Sequence, residues 1–456
     1  MTTDLLKRQK RRKPMGTATV MALGFLAIIT IGFVLLMLPI SSASGEFTSP
    51  LTAAFTAVSA TCVTGLVVVE SGLYWSLFGK IVLIVLIQIG GLGFMTMAVL
   101  LSVIIRRSLS PRDRVLVAAS YGINDFGGIN TLVKRILLGT LCIEGIGAIL
   151  LSLRFIPDYG FPKGIAYSVF HSISGFCNAG FDILGNGDSL GAYSDDPVVC
   201  ITIMLLIILG GIGFPVWNEF VGRKKGQKFS VYTKFVLILT AVYIVVGFFF
   251  VALLEWNNPE TLGSMSFGEK ILNAFFESVT WRTAGFITFD NAPLSDSTKL
   301  LGCFIMFTGG ASASTAGGVK LATIGIIALA SYTVAVGRSD INFMRRRIPP
   351  EAVMQALALV VIQLILTVTA TVICISVCGG MDISAIDLLY EVVSAGATVG
   401  LTAGLTPSLP AAAKIVLMFM MYFGRVGILT ITYSLMGRAA NARAALTYPD
   451  ANILIG

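Results

Sequence analysis

Long apolar runs separated by short charged loops dominate the chain, and eight of them approach the roughly 20 residues that a bilayer crossing requires. They fall at about residues 17 to 39, 75 to 104, 131 to 153, 198 to 221, 232 to 254, 298 to 336, 352 to 378 and 411 to 436. Inside each successive pair lies a shorter apolar segment, at about 50 to 61, 164 to 176, 269 to 281 and 384 to 396. These four are too short to span, which predicts re-entrant half-helices. Helix-start signals precede them: Thr48-Ser49-Pro50, Phe161-Pro162-Lys163-Gly164, Ser266-Phe267-Gly268-Glu269 and Asp382-Ile383-Ser384.

Each short segment ends in a polar run closed by a glycine and then an apolar residue: Gly65-Leu66, Gly180-Phe181, Gly285-Phe286 and Gly400-Leu401. The glycines recur every 105 to 115 residues, too long a period for a solenoid and suited to a two-helix membrane unit. This divides the chain into a basic arm (1–16), four units (17–114, 115–228, 229–347 and 348–440) and a tail (441–456). The even spans carry a second repeat, Gly90-Gly91-Leu92-Gly93, Gly210-Gly211-Ile212-Gly213 and Gly424-Arg425-Val426-Gly427, with Gly309-Gly310 in span six. Small residues at mid-span allow backbones to approach closely where four units converge. Span six is too long for one crossing. It is interrupted by the stretch from Thr308 to Lys320, which includes Gly309, Gly310, Ser312, Ser314, Thr315, Gly317 and Gly318. Irregular backbone at membrane depth survives only against protein or a water-filled cavity, so this stretch is expected to line a conduction path or its inner mouth. It lacks the G-x-x-x-x-G-K-[ST] spacing of a phosphate loop, and no strand precedes it.

Composition agrees with the pattern: 55% of residues are hydrophobic and 12% charged, which is membrane composition. Basic residues gather before span one (Lys7 to Lys13), between spans two and three (Arg106 to Arg135), four and five (Arg223 to Lys234), six and seven (Arg338 to Arg347), and after eight (Arg438, Arg443). By the positive-inside rule both termini are cytoplasmic and the glycine-ended segments enter from the outer face. That topology accounts for the net charge of +8 without nucleic acid. Thr17 to Pro39 is long enough to span and reads as no cleaved signal peptide. The seven cysteines have no metal-ligand spacing and are expected as buried thiols. His171 is the only histidine, expected as a packing group, and no catalytic cluster supports an enzyme.

Half-helices whose C-termini aim at the membrane centre present unpaired carbonyls and the negative end of the helix dipole. Four converging ends favour a cation. The candidate filter comprises Cys62, Val63, Thr64 and Gly65; Cys177, Asn178, Ala179 and Gly180; Thr283, Ala284 and Gly285; and Thr398, Val399 and Gly400. Their glycines can turn successive carbonyls inward to replace an ion's hydration shell. The third segment is one residue shorter, because Gly285 stands six residues after Val279 where the other glycines follow Val58, Ile173 and Val393 by seven. Arg282 lies in it without an assigned role. An intramembrane charge costs about 2.5–3.5 kcal/mol even on a lenient scale. Arg425 therefore either faces the pore as a barrier to cations or is half of an ion pair. Glu144 reads as a structural partner, for Lys320 or Arg425; Lys320 is either a latch for its loop or a snorkelling group. Glu277 and Glu391 either brace their half-helices or concentrate cations at the outer mouth.

Together with the ending Tyr448 to Gly456, these motifs resemble the Trk/Ktr/HKT superfamily of potassium transport proteins, and the short N-terminus points to its KtrB type. The resemblance implies an all-α polytopic membrane protein: eight transmembrane helices in four helix, re-entrant pore loop, helix repeats around a single central pore, as in a potassium channel. It also implies a homodimer with the tail near its interface, K⁺ held by filter carbonyls, and an intramembrane gating loop at 308–320. No covalent cofactor is expected. In similar systems a cytoplasmic ring of KtrA/TrkA-like regulatory subunits binds ATP or ADP, and Na⁺ often stimulates uptake. Gly65 matches members that favour potassium, whereas a serine there accompanies sodium preference in some plant relatives. The expected function is potassium uptake by a pore-forming subunit of the cell inner (plasma) membrane. The alternative is a sodium-permeable or sodium-coupled cation/solute secondary transporter, a class that inverted repeats would favour, whereas these four repeats all enter from the same side.

Overall fold

The computed structural model describes residues 17–93, 129–185, 187–223, 226–338 and 340–427. Among the described residues, four helices are long and apolar enough to cross a membrane: α1 (Thr17–Met37), α4 (Ile129–Tyr159), α8 (Val231–Glu255) and α12 (Pro350–Val377). Each opens a unit. After each comes a short half-helix: α2 (Pro50–Cys62), α5 (Lys163–Phe176), α9 (Phe267–Thr280) and α13 (Ala385–Ala397). The closing helices are α3 (Leu77–Leu92), α6 (Pro197–Gly211) with α7 (Phe214–Gly222), α10 (Asp296–Phe307) with α11 (Leu321–Ala335), and α14 (Ala411–Val426). A two-stranded hairpin, β1 (Asn342–Phe343) with β2 (Arg346–Arg347), lies between α11 and α12.

The start signals act as expected. The Ser49 hydroxyl accepts from the Thr52 amide at 3.2 Å, Ser384 from that of Ile386 at 3.3 Å, and Ser266 forms a capping box with Glu269. Of the four half-helices, only α5 starts without a side-chain cap, at Pro162.

Around the molecule each closing helix packs against the half-helix of the next unit: α3 on α5, α6 on α9, α10 on α13, and α14 back onto α2. The four units therefore close into a ring. Across the outer ends, Lys299 of α10 pairs with Asp387 of α13 at 2.7 Å. Large apolar side chains point away from the ring, among them Leu253 at 76% exposure, Phe249 at 64% and Phe419 at 61%, as acyl chains rather than water would require.

One of the expected spans is corrected. Span four is not one helix: α6 and α7 meet at an angle of 93°, because Gly213 at φ 92° breaks the helix between them. Gly93 and Gly427 hold the same conformation at φ 84° and 88°, so the last glycine of this motif terminates a helix rather than serving packing alone. The remainders of spans two and eight, and the tail that carries Tyr448 to Gly456, lie outside the described residues.

Candidate ion path

The four half-helices end at one place. A methyl group built on Gly65 would lie 2.6 Å from the Ala179 carbonyl oxygen, and one on Gly180 2.7 Å from that of Ala284. One on Gly285 would collide with the Val399 oxygen, and one on Gly400 with the Thr64 oxygen. The glycines thus form a closed ring in the order 65, 180, 285, 400, each touching the carbonyl before the next glycine.

Local backbone geometry repeats around the ring. Two residues before each glycine, Val63, Asn178, Thr283 and Thr398 adopt left-handed φ of 57°, 57°, 67° and 55°. Three of the four are β-branched, for which this region is a true outlier at about 1–2 kcal/mol each, and such strain collects at functional sites. The amides of Thr64, Ala179 and Val399 reach back five residues, to the Ser59, Ser174 and Ser394 carbonyls, each at 2.8 Å. Ala284 reaches back four, to Thr280 at 3.0 Å, which is the missing residue of the third segment. Sequence reasoning missed the hydroxyls that brace these turns. Ser59 and Ser394 accept from the Gly65 and Gly400 amides at 3.1 and 3.0 Å, while Ser174 and Thr280 donate to the Phe181 and Phe286 carbonyls at 2.8 and 2.7 Å. Their signal was legible as a serine or threonine directly after Val58, Ile173, Val279 and Val393.

Beneath the ring runs the 308–320 stretch. Its Thr315 hydroxyl donates to Asn178 Oδ1 at 3.4 Å, and Gly317 abuts the Thr398 side chain so closely that a methyl there would collide with it. The second and fourth segments are opposite members of the ring, so the stretch crosses under it. Gly309 donates to Val319 at 2.8 Å, Ala311 to Gly211 at 2.9 Å and Leu321 to Gly310 at 3.0 Å. Inside the stretch, Ser314 donates to the Ala311 carbonyl at 2.7 Å, the Ser312 carbonyl accepts from Tyr232 at 3.4 Å, and Gly318 packs on Ala397.

The charged residues resolve as follows. Arg425 is half-buried and forms no ion pair among the described residues. It donates to the Gly90 carbonyl at 3.2 Å, to Gly91 at 2.9 Å and to Thr315, tying the end of α3 to the crossing stretch. Lys320 folds back onto the Ala316 carbonyl at 2.7 Å, as a latch would. Glu144 pairs with neither: its carboxylate accepts from Gln88 Nε2 at 3.1 and 3.3 Å, correcting the expected partners. Glu277 and Glu391 are fully buried rather than exposed mouth charges. Asn291 donates to Glu277 at 2.9 Å, and Glu391 accepts from Ala403, Leu405 and Thr406 at 3.1, 3.3 and 2.7 Å, bracing the chain after Gly400. Arg282 is 2% exposed and points away from the ring, donating to Thr240 of α8 at 3.4 Å. His171 packs among Phe155, Phe170 and Phe286.

Thr61, Thr64 and Thr398 keep buried hydroxyls with no hydrogen-bond partner among the described residues. Each such group costs about 1–3 kcal/mol unless water or an ion meets it. Threonine hydroxyls and backbone carbonyls are neutral oxygens of the kind that ligate a cation. Such an arrangement, in a mostly helical membrane protein with several apolar helices, suits the passage of a cation.

The profile of the TrkH family, described as a cation transport protein, matches residues 6–437, and the chain belongs to that family. It is 38% identical over 453 residues to the potassium/sodium uptake protein NtpJ of Enterococcus hirae, covering 99% of this chain and 100% of that protein. To the Ktr system potassium uptake protein B of Bacillus subtilis it is 39% identical over 440 residues, 96% of each. The crystal structure of the potassium transporter TrkH from Vibrio parahaemolyticus has the same fold, with a TM-score of 0.72 at 19% identity over 94% of this chain and 86% of that one.

Proposed function

We propose that this chain is the pore-forming subunit of a potassium uptake system. Dehydrated K⁺ passes through the ring in contact with carbonyls of Cys62 to Gly65, Cys177 to Gly180, Thr283 to Gly285 and Thr398 to Gly400. The observation that carries the reading is the closed ring, in which the carbonyls of residues 64, 179, 284 and 399 each meet the neighbouring glycine. Four equivalent carbonyls at the buried ends of inward-aimed half-helices favour a weakly hydrated cation and give an anion nothing to bind. The stretch from Gly309 to Lys320 acts as the gate, because it crosses the path directly below the ring. Arg425 holds that gate through Thr315 and adds a positive barrier that keeps K⁺ from resting in the pore. A cytoplasmic nucleotide-binding ring moves the gate from below, and two chains associate in the inner membrane with both termini cytoplasmic. The four units are those set out by the repeat, 17–114, 115–228, 229–347 and 348–440.

Sodium permeation is the second reading, favoured by the similarity to a relative whose name includes both ions. Complementation of a potassium-uptake-deficient bacterium at low external K⁺, with and without a cognate regulatory subunit, separates the readings. Rescue that requires the regulatory subunit fits the proposal. Well-expressed protein that rescues in neither case, yet raises cell Na⁺, fits the second reading and refutes the first.

A further inference from the structure

The geometry points to Glu144 as a positioning residue for ion preference, acting through Gln88 on the Cys177 thiol at the base of the second filter segment. Both oxygens of the Glu144 carboxylate accept from Gln88 Nε2, at 3.1 and 3.3 Å. The other end of the same amide, Gln88 Oε1, accepts from Cys177 Sγ at 3.6 Å. Glu144 is 5% exposed and makes no ion pair among the described residues. Gln88 belongs to α3 of the first unit, Glu144 and Cys177 to the second, so the chain of contacts crosses a unit boundary and ends three residues before Gly180.

The internal repeat supplies its own control. Ser172 of α5 donates to the Glu144 carbonyl at 2.6 Å, and Ser278 of α9 donates to the Ile244 carbonyl at 2.7 Å. Gly147 packs on Ser172 as Gly247 does on Ser278. Glu144 and Ile244 are thus the same place in two units, and the fold is content with isoleucine there. Gln88 stands two residues before Gly90, where the second and fourth units have Ile208 and Tyr422. Neither the acid nor the amide is required by the architecture, and a carboxylate at membrane depth costs several kcal/mol.

What the pair adds is a fixed direction. Both Glu144 oxygens accept from the Gln88 nitrogen, which leaves the Gln88 oxygen facing the thiol. The thiol is held against α3, where a methyl on Gly91 would lie 2.5 Å from Cys177 Sγ. The next residue, Asn178, donates to the Arg282 carbonyl at 3.2 Å and accepts from Thr315 at 3.4 Å. Displacing Cys177 therefore shifts the junction between the second segment, the third segment and the crossing stretch.

The inference rests on the potassium-uptake reading, and the test separates the two. Purified full-length protein, with its cytoplasmic regulatory subunit added, is assayed in vesicles for the ratio of ⁸⁶Rb⁺ to ²²Na⁺ uptake. Glu144→Ala and Gln88→Leu should each lower the ratio about tenfold, the scale of one buried hydrogen bond. Their combination should be no worse than the stronger single change, because the residues act as a unit. Glu144→Gln, which still accepts from Gln88, should keep the ratio within about twofold. If Glu144→Ala does not fold, Gln88→Leu and Cys177→Ala carry the test. A wild-type ratio in Gln88→Leu, additive effects in the double variant, or a Glu144→Gln protein as poor as Glu144→Ala would each overturn the inference. Unmutated protein that moves neither ion would instead overturn the uptake reading beneath it.

Discussion

Substituting serine for Gly65 should abolish most of the preference for K⁺ over Na⁺. A β-carbon there would lie 2.6 Å from the Ala179 oxygen and 3.2 Å from the Gly180 α-carbon. Real β-carbons essentially never come closer than 3.0 Å, so the first and second segments must part by at least about 0.4 Å. The φ of 94° adds a backbone penalty of about 1–2 kcal/mol for any residue with a side chain. Both effects fall on carbonyls that have to replace a hydration shell of fixed size. Losing as little as about 1.4 kcal/mol of differential binding changes the preference tenfold. The assay is the ⁸⁶Rb⁺ to ²²Na⁺ uptake ratio in vesicles, with Gly65→Ala alongside to separate the bulk of the β-carbon from the hydroxyl. Rates comparable to the unmutated protein with an unchanged ratio would refute the placement of Gly65 in the ring.

Three further outcomes follow from the same geometry. Replacing residues 309–318 with a plain helical sequence should alter dependence on the regulatory subunit and leave the Rb⁺ to Na⁺ ratio intact; a changed ratio with normal regulation would contradict the loop's position below the ring. Arg425→Ala frees the Gly90, Gly91 and Thr315 carbonyls, so basal flux should rise while hydrogen exchange in the 308–320 stretch speeds up, and unchanged exchange would deny the tether. Asp182, just past Gly180, has its carboxyl pushed up to about 6 by burial, with the Glu70 charge adding to the effect. It is ionised above that pH and neutral below it, so the apparent KM for K⁺ should increase as external pH falls through about 6, and Asp182→Asn should remove that dependence.

Much of the architecture was legible because a repeat testifies four times. A single glycine after a short apolar segment would say little, whereas four in register predict the half-helices Pro50–Cys62, Lys163–Phe176, Phe267–Thr280 and Ala385–Ala397 to within a few residues. The shortened third segment was also countable from Val279 and appears as the four-residue reach of Ala284. What the sequence hid lies in backbone conformation and long-range partners. Gly213 reads equally well as a packing residue or a helix breaker, and only its φ of 92° decides. A left-handed Val63 or Thr398 runs against the preference of β-branched residues, so no local rule anticipates it. Gln88 lies 56 residues from Glu144, and nothing in the pattern pairs them, so an intramembrane acid was naturally assigned to the nearest cations in kind.

The central claim is that K⁺ crosses the membrane through the ring of Gly65, Gly180, Gly285 and Gly400. Uptake of ⁸⁶Rb⁺ into sealed vesicles containing the purified full-length chain with its regulatory subunit, driven by an outward K⁺ gradient, tests it most directly. The account predicts saturable uptake above that of protein-free vesicles, suppressed by external K⁺ at far lower concentration than by Na⁺. Uptake no greater than in protein-free vesicles, or equal suppression by the two ions, would contradict it.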